Sequence, residues 1–204
     1  MKIVFASYNS KKTAEIQRMA PDDMEIVCLK DIPEAHGLPQ ASEWGSSFIE
    51  NATIKAIHWN EILKVPVLAE DSGIMIDALN GYPGVYTKRC VEELCPGSDI
   101  DVDNPDELYP ALLKMMDESG NKSKNAQFIC AMALIDGEKG IFAQERLQGN
   151  MCEKAGERVF GFDQYFKPVG SEKTLSELSP EEKDNIAPRK EAFERIIKQI
   201  GVLS

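Results

Sequence analysis

The chain has 204 residues, of which 34 are acidic and 23 basic, so its formal net charge is −11. Its length suits one domain with a buried core, and its 43% hydrophobic and 28% charged residues are typical of a globular protein. The acidic balance excludes a non-specific nucleic-acid binder, which needs a basic surface. Since no apolar run approaches the roughly 20 residues of a membrane span, and the apolar start at residues 1–5 is too short for a signal peptide, we expect neither nucleic-acid nor membrane partners.

The cysteines and histidines indicate neither a zinc site nor a disulfide framework. The chain has five cysteines without a C-x-x-C pair, and its two histidines stand well away from them in sequence. A chain of this size does not need disulfides to fold. We therefore expect reduced thiols and a cytoplasmic location.

The first 30 residues predict a strand, a helix and a second strand. Residues 2–7 form a short apolar run typical of a buried strand. A helix is predicted over 11–19, ended by Pro21, and a second strand over 24–28. This succession is typical of a parallel α/β sheet.

A long helix is predicted after the Pro- and Gly-containing loop at 31–45. Ser47 and Glu50 match a capping box at its start, and an apolar stripe of helical period follows. Asn51 and Lys55 share a different face of this helix, one turn apart. The next strand is predicted to end at 70–73, with extended structure resuming over 74–79.

The second half of the chain combines helices with a hairpin. We predict a loop over 95–105 and a helix over 108–116, then strands over 127–135 and 140–147 that the Asp-Gly pair at 136–137 joins as a hairpin. A capping box at 179–182 with Pro180 at the first helical position begins another helix, and a last one runs from the break at 187–188 to about residue 200. Because no repeat or linker marks a boundary, we predict a single domain over 1–204.

Two segments indicate a site for a phosphorylated ligand. The turn at 7–12 joins a strand to a helix whose first N–H groups attract anions, and Lys11 and Lys12 add positive charge, although the segment is not a Walker loop. Glu43 and the pair at 70–71 are carboxylates that could hold Mg²⁺ at a sheet edge. The alternatives are a simple connection for the turn, and a solvated loop and a tight turn for the acidic residues.

A third candidate segment is C-terminal. An aromatic ring beside a carboxylate can stack on a base and accept its ring N–H hydrogens, and nearby cations can reach carbonyl or phosphate oxygens. The alternative is that the aromatic residues belong to the core and the cations to the surface. The residues concerned are Phe160, Gly161, Phe162, Asp163, Lys183 and Arg189, with Lys88 as a further lone cation.

Taken together, five segments resemble, in the same order, the motifs of the inosine triphosphate pyrophosphatase family, enzymes that remove non-standard purine nucleoside triphosphates. The resemblance extends over nearly the whole chain. The matching segments are ASYNSKK at 6–12, EWGSSFIENATIKA at 43–56, AEDSG at 69–73, LNGYPGVY at 79–86 and LSPEEKDNI at 178–186.

The resemblance implies a bilobed α/β domain with a long mixed sheet flanked by helices, a nucleotide cleft between the lobes, and a homodimer. It implies Mg²⁺-dependent hydrolysis of a nucleoside triphosphate such as ITP, dITP or XTP to monophosphate and pyrophosphate. Asp71 would be the catalytic base, and Glu43, Glu70 and Asp71 would hold Mg²⁺. Substrate would be bound by Ser7, Asn9, Lys12, Lys55, Ser72, Lys88, Phe160, Gly161, Phe162, Asp163, Lys183 and Arg189.

Three departures from the family pattern leave other functions open. Tyr8 replaces a glycine of the phosphate turn, Pro188 replaces the histidine before Arg189, and the glycine-rich segment reads RVFGFDQ at 158–164. The acidic and lysine positions are retained while the base-binding segment is altered. The alternatives are therefore the same hydrolysis on a different nucleobase, or a nucleotide-binding protein without turnover.

Overall fold

A computed structural model describes residues 1–87, 90, 105–157 and 161–202. Its strands are β1 (Lys2–Phe5), β2 (Glu25–Cys28), β3 (Val67–Ile76), β4 (Asn125–Asp136), β5 (Lys139–Met151) and β6 (Phe166–Pro168). The helices that it describes are α1 (Ser10–Met19), α2 (Phe48–Leu63), α3 (Pro105–Glu118), α4 (Pro180–Ile186) and α5 (Pro188–Gln199). Short 3₁₀ turns occupy Leu29–Asp31, Pro33–Ala35, Asp77–Leu79, Gly84–Tyr86, Gly161–Tyr165, Leu175–Glu177 and Ile200–Val202.

The six strands form one mixed sheet in the order β2-β1-β3-β4-β5-β6. β1 is parallel to both β2 and β3, and its last residue, Phe5, lies opposite Cys28 and Leu68. β5 and β6 are antiparallel. This confirms the predicted α/β class with a mixed sheet and flanking helices. β3 continues from Leu68 to Ile76, beyond the carboxyl end of β1 at Phe5.

The chain divides into two compact units, each with its own hydrophobic core. Unit 1 comprises Met1–Ser72, Cys130–Glu145 and Pro188–Ser204, and unit 2 comprises Gly73–Ile129 and Arg146–Ala187. In unit 1 the buried cluster joins α1 and α5 to the strands through Phe5, Ile16, Leu68, Leu134, Phe193 and Ile196, among others. In unit 2 it includes Ile74, Ile76, Leu108, Leu112, Phe162 and Phe166.

Helix α2 begins at Ser47 as predicted, but only one half of the predicted capping box forms. The Ser47 hydroxyl accepts a hydrogen bond from the Glu50 N–H at 3.3 Å. The Glu50 carboxylate, however, accepts from the N–H and the hydroxyl of Ser46, at 2.8 and 3.0 Å, rather than from the Ser47 N–H. Because Ser46 offers two donors to one carboxylate oxygen, the helix start is joined to the loop before it.

The predicted end of the strand at 70–73 is wrong. β3 runs without interruption from Val67 to Ile76, and Gly73 is buried within it. The Asp71-Ser72-Gly73 sequence, which suggested a turn, is accommodated as extended backbone. Glu70 and Asp71 are therefore consecutive residues of one strand, and their side chains project from opposite faces of the sheet.

The extended structure predicted over 74–79 holds only to Ile76, since residues 77–79 form a 3₁₀ turn. Other local predictions are confirmed. Gly137 adopts a φ of +59° in the turn between β4 and β5, as an Asp-Gly hairpin requires. Ser179 and Glu182 form a complete capping box before α4, and Pro180 is its first residue. The predicted loop at 95–105 lies outside the described residues up to Pro105, where α3 begins. Among the described residues, no helix has the length and apolar character that a membrane span requires.

We predict that Ser47→Ala lowers the free energy of unfolding by about 1 kcal/mol, because the first turn of α2 loses its side-chain acceptor. Ser47→Gly should cost only a few tenths of a kcal/mol, roughly the cost when glycine replaces a capping residue. Urea denaturation of both variants measures the difference. Equal destabilisation by alanine and glycine would contradict a capping role.

Candidate functional site

Two carboxylates of unit 1 meet around one ammonium group, that of Lys55. Lys55 Nζ, from α2, donates to Glu43 Oε1 at 2.8 Å and to Asp71 Oδ1 at 3.2 Å. Glu43 lies in the loop before α2, and Asp71 lies on β3, beyond the end of β1. Two carboxylates thus share a single cation beyond the carboxyl end of β1, and parallel α/β proteins bind their ligands outside the carboxyl ends of strands.

Asn51 connects the same strand to the same loop. Its side chain is fully buried, its Nδ2 donates to Asp71 Oδ2 at 3.1 Å, and its Oδ1 accepts from the Gly45 N–H at 2.8 Å. Asn51 and Lys55 are one helical turn apart, so both reach Asp71 from one face of α2. Each oxygen of Asp71 is therefore held by a different residue of this helix.

Glu70 belongs to a second cluster, formed with α1 and α5. Arg189 donates to both of its oxygens, from Nε at 2.7 Å and from Nη2 at 3.1 Å, and Lys12 Nζ donates to Oε1 at 2.7 Å. Arg189 also donates to Glu15 Oε2 from Nη1 at 2.9 Å. Both oxygens of Glu70 thus already bind cations, and its side chain is only 4% exposed.

Burial and neighbouring charges act on these groups in opposite directions. Burial favours the neutral form of Glu70, but Arg189 and Lys12 outweigh it and hold the pKa of this carboxyl well below its ordinary value. Burial raises the pKa of Asp71, although Lys55 and Asn51 oppose that change. Burial also disfavours the Lys55 ammonium, yet the two carboxylates raise the pKa of this amine, so it carries its charge at neutral pH.

The turn before α1 is ordered by its own side chains. The Ser7 hydroxyl accepts from the Asn9 N–H at 3.1 Å, and Asn9 Oδ1 accepts from the Lys12 N–H at 3.3 Å, as an N-cap residue does. Tyr8, at the position where the resemblance predicts a glycine, donates its hydroxyl to the Ala35 carbonyl at 3.4 Å, and its ring makes an edge contact with that of Trp59. Among the described non-glycine residues, only Lys64 and Asn80 have a positive φ, so the turn accommodates Tyr8 without left-handed backbone.

The predicted base-binding residues that the structure describes lie in unit 2, except Arg189. Lys183 Nζ donates to the buried carboxylate of Asp163, Gly161 has a φ of +47°, and Phe162 is buried in the core of this unit. Lys88 and Phe160 lie outside the described residues.

The predicted charged residues of unit 1 thus form two groups, each held together by ion pairs. One contains Glu43, Lys55 and Asp71, followed in β3 by the half-buried Ser72, and the other contains Lys12, Glu70 and Arg189. Sequence reasoning did not assign Asn51 or Glu15 to the site. The four-residue spacing from Asn51 to Lys55 was a usable signal, and so was the three-residue spacing from Lys12 to Glu15.

The pair formed by Glu43 and Asp71 fits a small divalent cation better than Glu70 does. Mg²⁺ in nucleotide sites takes one or two carboxylates and completes its coordination with waters and phosphate oxygens. The carboxylates of Glu43 and Asp71 share a single cation, Lys55, so two negative charges meet one positive charge. Glu70, by contrast, is one carboxylate that faces two cations, Lys12 and Arg189. The described residues contain no group of three or more His, Cys, Asp or Glu side chains arranged around a metal position.

Comparison with solved structures shows the same fold over the full chain. A HAM1 protein from Coxiella burnetii matches with a TM-score of 0.85 and 29% identity, covering 98% of both chains. A nucleoside-triphosphatase / dITP/XTP pyrophosphatase from Mycobacterium abscessus matches with a TM-score of 0.73 and 34% identity, covering 97% of this chain and 99% of the other.

Comparison with curated proteins gives relatives of the same length. The dITP/XTP pyrophosphatase of Aquifex aeolicus is 36% identical over 97% of this chain and 95% of its own. The dITP/XTP pyrophosphatase of Oceanobacillus iheyensis is 34% identical over 99% of both chains. The model of the Ham1 family matches residues 3–199, which include both contacting groups. Agreement of this extent in sequence and in fold shows that the chain belongs to the Ham1 family.

Proposed function

We propose that this protein hydrolyses dITP, ITP and XTP to the nucleoside monophosphate and pyrophosphate, with Mg²⁺ as its cofactor. The observation that carries the proposal is the pair of carboxylates around one cation, Glu43 and Asp71 around Lys55. The substrate class is supported by the dITP/XTP pyrophosphatases of A. aeolicus and O. iheyensis. These relatives also confirm the prediction of an enzyme, a nucleoside triphosphate pyrophosphatase, and of the family that the sequence motifs resemble.

Glu43 and Asp71 are the residues that would hold Mg²⁺. The bound ion would supply charge neutralisation and polarisation of the phosphoryl group. Lys55 reaches both carboxylates from α2, so a phosphate entering beside them would meet its ammonium group. This local positive charge is needed because the protein's net charge of −11 repels a triphosphate.

Asp71 is the residue that we assign to accept the proton of the attacking water. Burial raises the pKa of its carboxyl, which makes the carboxylate a better proton acceptor than an exposed aspartate. Asn51 and Lys55 each hold one of its oxygens, which fixes the orientation of the group. Accurate positioning of this kind contributes to catalysis because the reacting groups need no further ordering.

Glu70 acts on the substrate site through the cations that it holds. It keeps Lys12 in the first turn of α1, where N–H groups and positive charge suit a phosphate together with Ser7 and Asn9. It keeps Arg189 near the start of α5. We propose that Glu70 orients these two cations rather than completing the metal site.

Three further properties are proposed for this protein: the residues that recognise the nucleobase, a homodimeric state and a cytoplasmic location. We propose that Asp163 and Lys183, which contact each other in unit 2, recognise the purine, together with Gly161 and Phe162. The resemblance supports a homodimer, which light scattering of the purified protein would test. The cysteines that the structure describes are free, which suits a cytoplasmic location.

The proposed activity predicts Mg²⁺-dependent pyrophosphate release confined to dITP, ITP and XTP within a panel that also contains ATP, GTP, CTP and UTP. Selectivity should follow from donor and acceptor matching, because an unpaired buried polar group costs about 1–3 kcal/mol. Colorimetric detection of pyrophosphate, with and without EDTA, measures both features. Release mainly from another nucleotide would change the assigned base, and release from none would indicate a binding protein.

Asp71→Asn should lower pyrophosphate release by about 10²- to 10⁴-fold, the contribution of a general base. The amide keeps the size of the side chain, so circular dichroism and the melting temperature should show a folded protein. Asp77→Asn is the matched control, since Asp77 is an exposed aspartate six residues further along the chain. Near wild-type release by the Asp71 variant would refute the assigned role.

Glu70→Gln should lower the free energy of unfolding by about 3–5 kcal/mol, because Lys12 and Arg189 lose a buried anionic partner. The pKa of Glu70 is lowered on folding, so its contribution is present above the unfolded value of about 4.5 and declines as the pH falls below it. Urea denaturation at pH 7 and below pH 4.5 should therefore show a smaller difference from wild type at the lower pH.

The control for this variant is Glu25→Gln, at an exposed position in β2, which should change the free energy of unfolding by less than about 0.5 kcal/mol. Equal effects of the two substitutions would show that Glu70 does not stabilise the protein through its cations.

A further inference from the structure

We propose that Asn51 is a positioning residue that fixes Glu43 and Asp71 relative to each other and thereby sets the affinity of the site for a divalent metal. The inference rests on the proposed function in one respect, the assignment of these two carboxylates as metal ligands. It assigns to Asn51 a role that the sequence motifs alone did not indicate. The role is indirect, because Asn51 acts through its neighbours.

Both polar atoms of the Asn51 side-chain amide are hydrogen-bonded. It is fully buried, and a buried amide is stable only when its polar atoms are hydrogen-bonded. Nδ2 donates to Asp71 on β3, and Oδ1 accepts from the N–H of Gly45 in the loop. One planar group therefore spans the distance between the strand and the loop that carry the two carboxylates.

On the loop side, the approach of the backbone to Asn51 requires glycine. A Cβ at Gly45 would lie 2.7 Å from Asn51 Oδ1 and 2.9 Å from Glu50 Cγ, both closer than real Cβ contacts allow. The next residue, Ser46, is held by the Glu50 carboxylate at its N–H and its hydroxyl. Two successive residues are thus attached to the first turn of α2, and Glu43 precedes the first of them by two positions.

On the strand side, Asn51 determines which oxygen of Asp71 faces the cation. Oδ2 is held by Asn51 Nδ2, which leaves Oδ1 as the oxygen that contacts Lys55 Nζ. The same Nζ contacts Glu43 Oε1 at 2.8 Å. Partners that hold the ligands of a metal in this way typically contribute about 10–100-fold to metal affinity.

Asn60 provides a matched control on the same helix. It is also buried, and its Nδ2 donates to the backbone carbonyls of Val65 and Ile135, at 2.8 and 3.3 Å. Loss of either asparagine removes buried hydrogen bonds, so both variants should melt at a lower temperature than wild type. Of these two asparagines, Asn51 hydrogen-bonds to a proposed metal ligand, whereas the partners of Asn60 are backbone carbonyls.

The test uses Mn²⁺ as the probe and the electron paramagnetic resonance signal of the free ion as the readout, without nucleotide. Asn51→Leu should raise the Kd for Mn²⁺ about 10- to 100-fold, and Asn60→Leu should leave it unchanged. Gly45→Ala should raise it as well, because the added Cβ displaces Asn51 Oδ1.

In turnover assays, the Mg²⁺ concentration at half-maximal activity should rise for Asn51→Leu, while KM for dITP at saturating Mg²⁺ stays near the wild-type value.

Wild-type Mn²⁺ affinity in folded Asn51→Leu would overturn the inference. If that variant does not fold, Gly45→Ala decides: wild-type affinity in the alanine variant would overturn the inference as well. Failure of the proposed function gives a different result. A wild-type protein that releases no pyrophosphate from any nucleotide, yet binds Mn²⁺ more tightly than Asn51→Leu, would refute the activity and support the role of Asn51.

Discussion

Glu70 is a charged side chain in the interior of β3, and a buried carboxylate is stable only when cations and hydrogen bonds accompany it. The cations come from distant parts of the chain, because Lys12 lies 58 residues before Glu70 and Arg189 lies 119 residues after it. Meeting this requirement brings α1 and α5 to the same point of the sheet. The ion pairs therefore fix the N-terminal turn and the start of the last helix beside β3, next to the candidate site.

The pleat of β3 gives its two adjacent carboxylates, Glu70 and Asp71, different surroundings. Because consecutive strand residues face opposite sides, Glu70 meets the cations of α1 and α5, while Asp71 meets Asn51 and Lys55 of α2. The environments push their pKa values apart, downwards for Glu70 and upwards for Asp71. A permanently ionised carboxylate suits the holding of cations, and a more basic one suits proton transfer.

Sequence reasoning succeeded where the cause of a structure is local. The capping box of Ser179 with Glu182, and the glycine in the hairpin at 137, follow from chemistry within four residues, and both formed as predicted. The partners of Glu70 depend on contacts across more than 50 residues, which leave no local pattern. The α/β class was predictable in part. The alternation of short apolar strands with amphipathic helices is a local pattern in the sequence, whereas the strand order depends on contacts between distant segments. For the same reason, sequence reasoning did not separate Glu70 from Glu43 and Asp71.

Pro188 illustrates how a departure from a family pattern can have a local structural meaning. It is the first residue of α5, where a missing N–H costs little because the first N–H groups of a helix have no intrahelical acceptor. Its ring fixes the backbone for the first turn, and the next residue, Arg189, then forms its bidentate contact with Glu70. Tyr8 is accommodated in a comparable way, through contacts of its own with Ala35 and Trp59. Both residues therefore fit beside the carboxylates and cations of unit 1, which keep their mutual contacts.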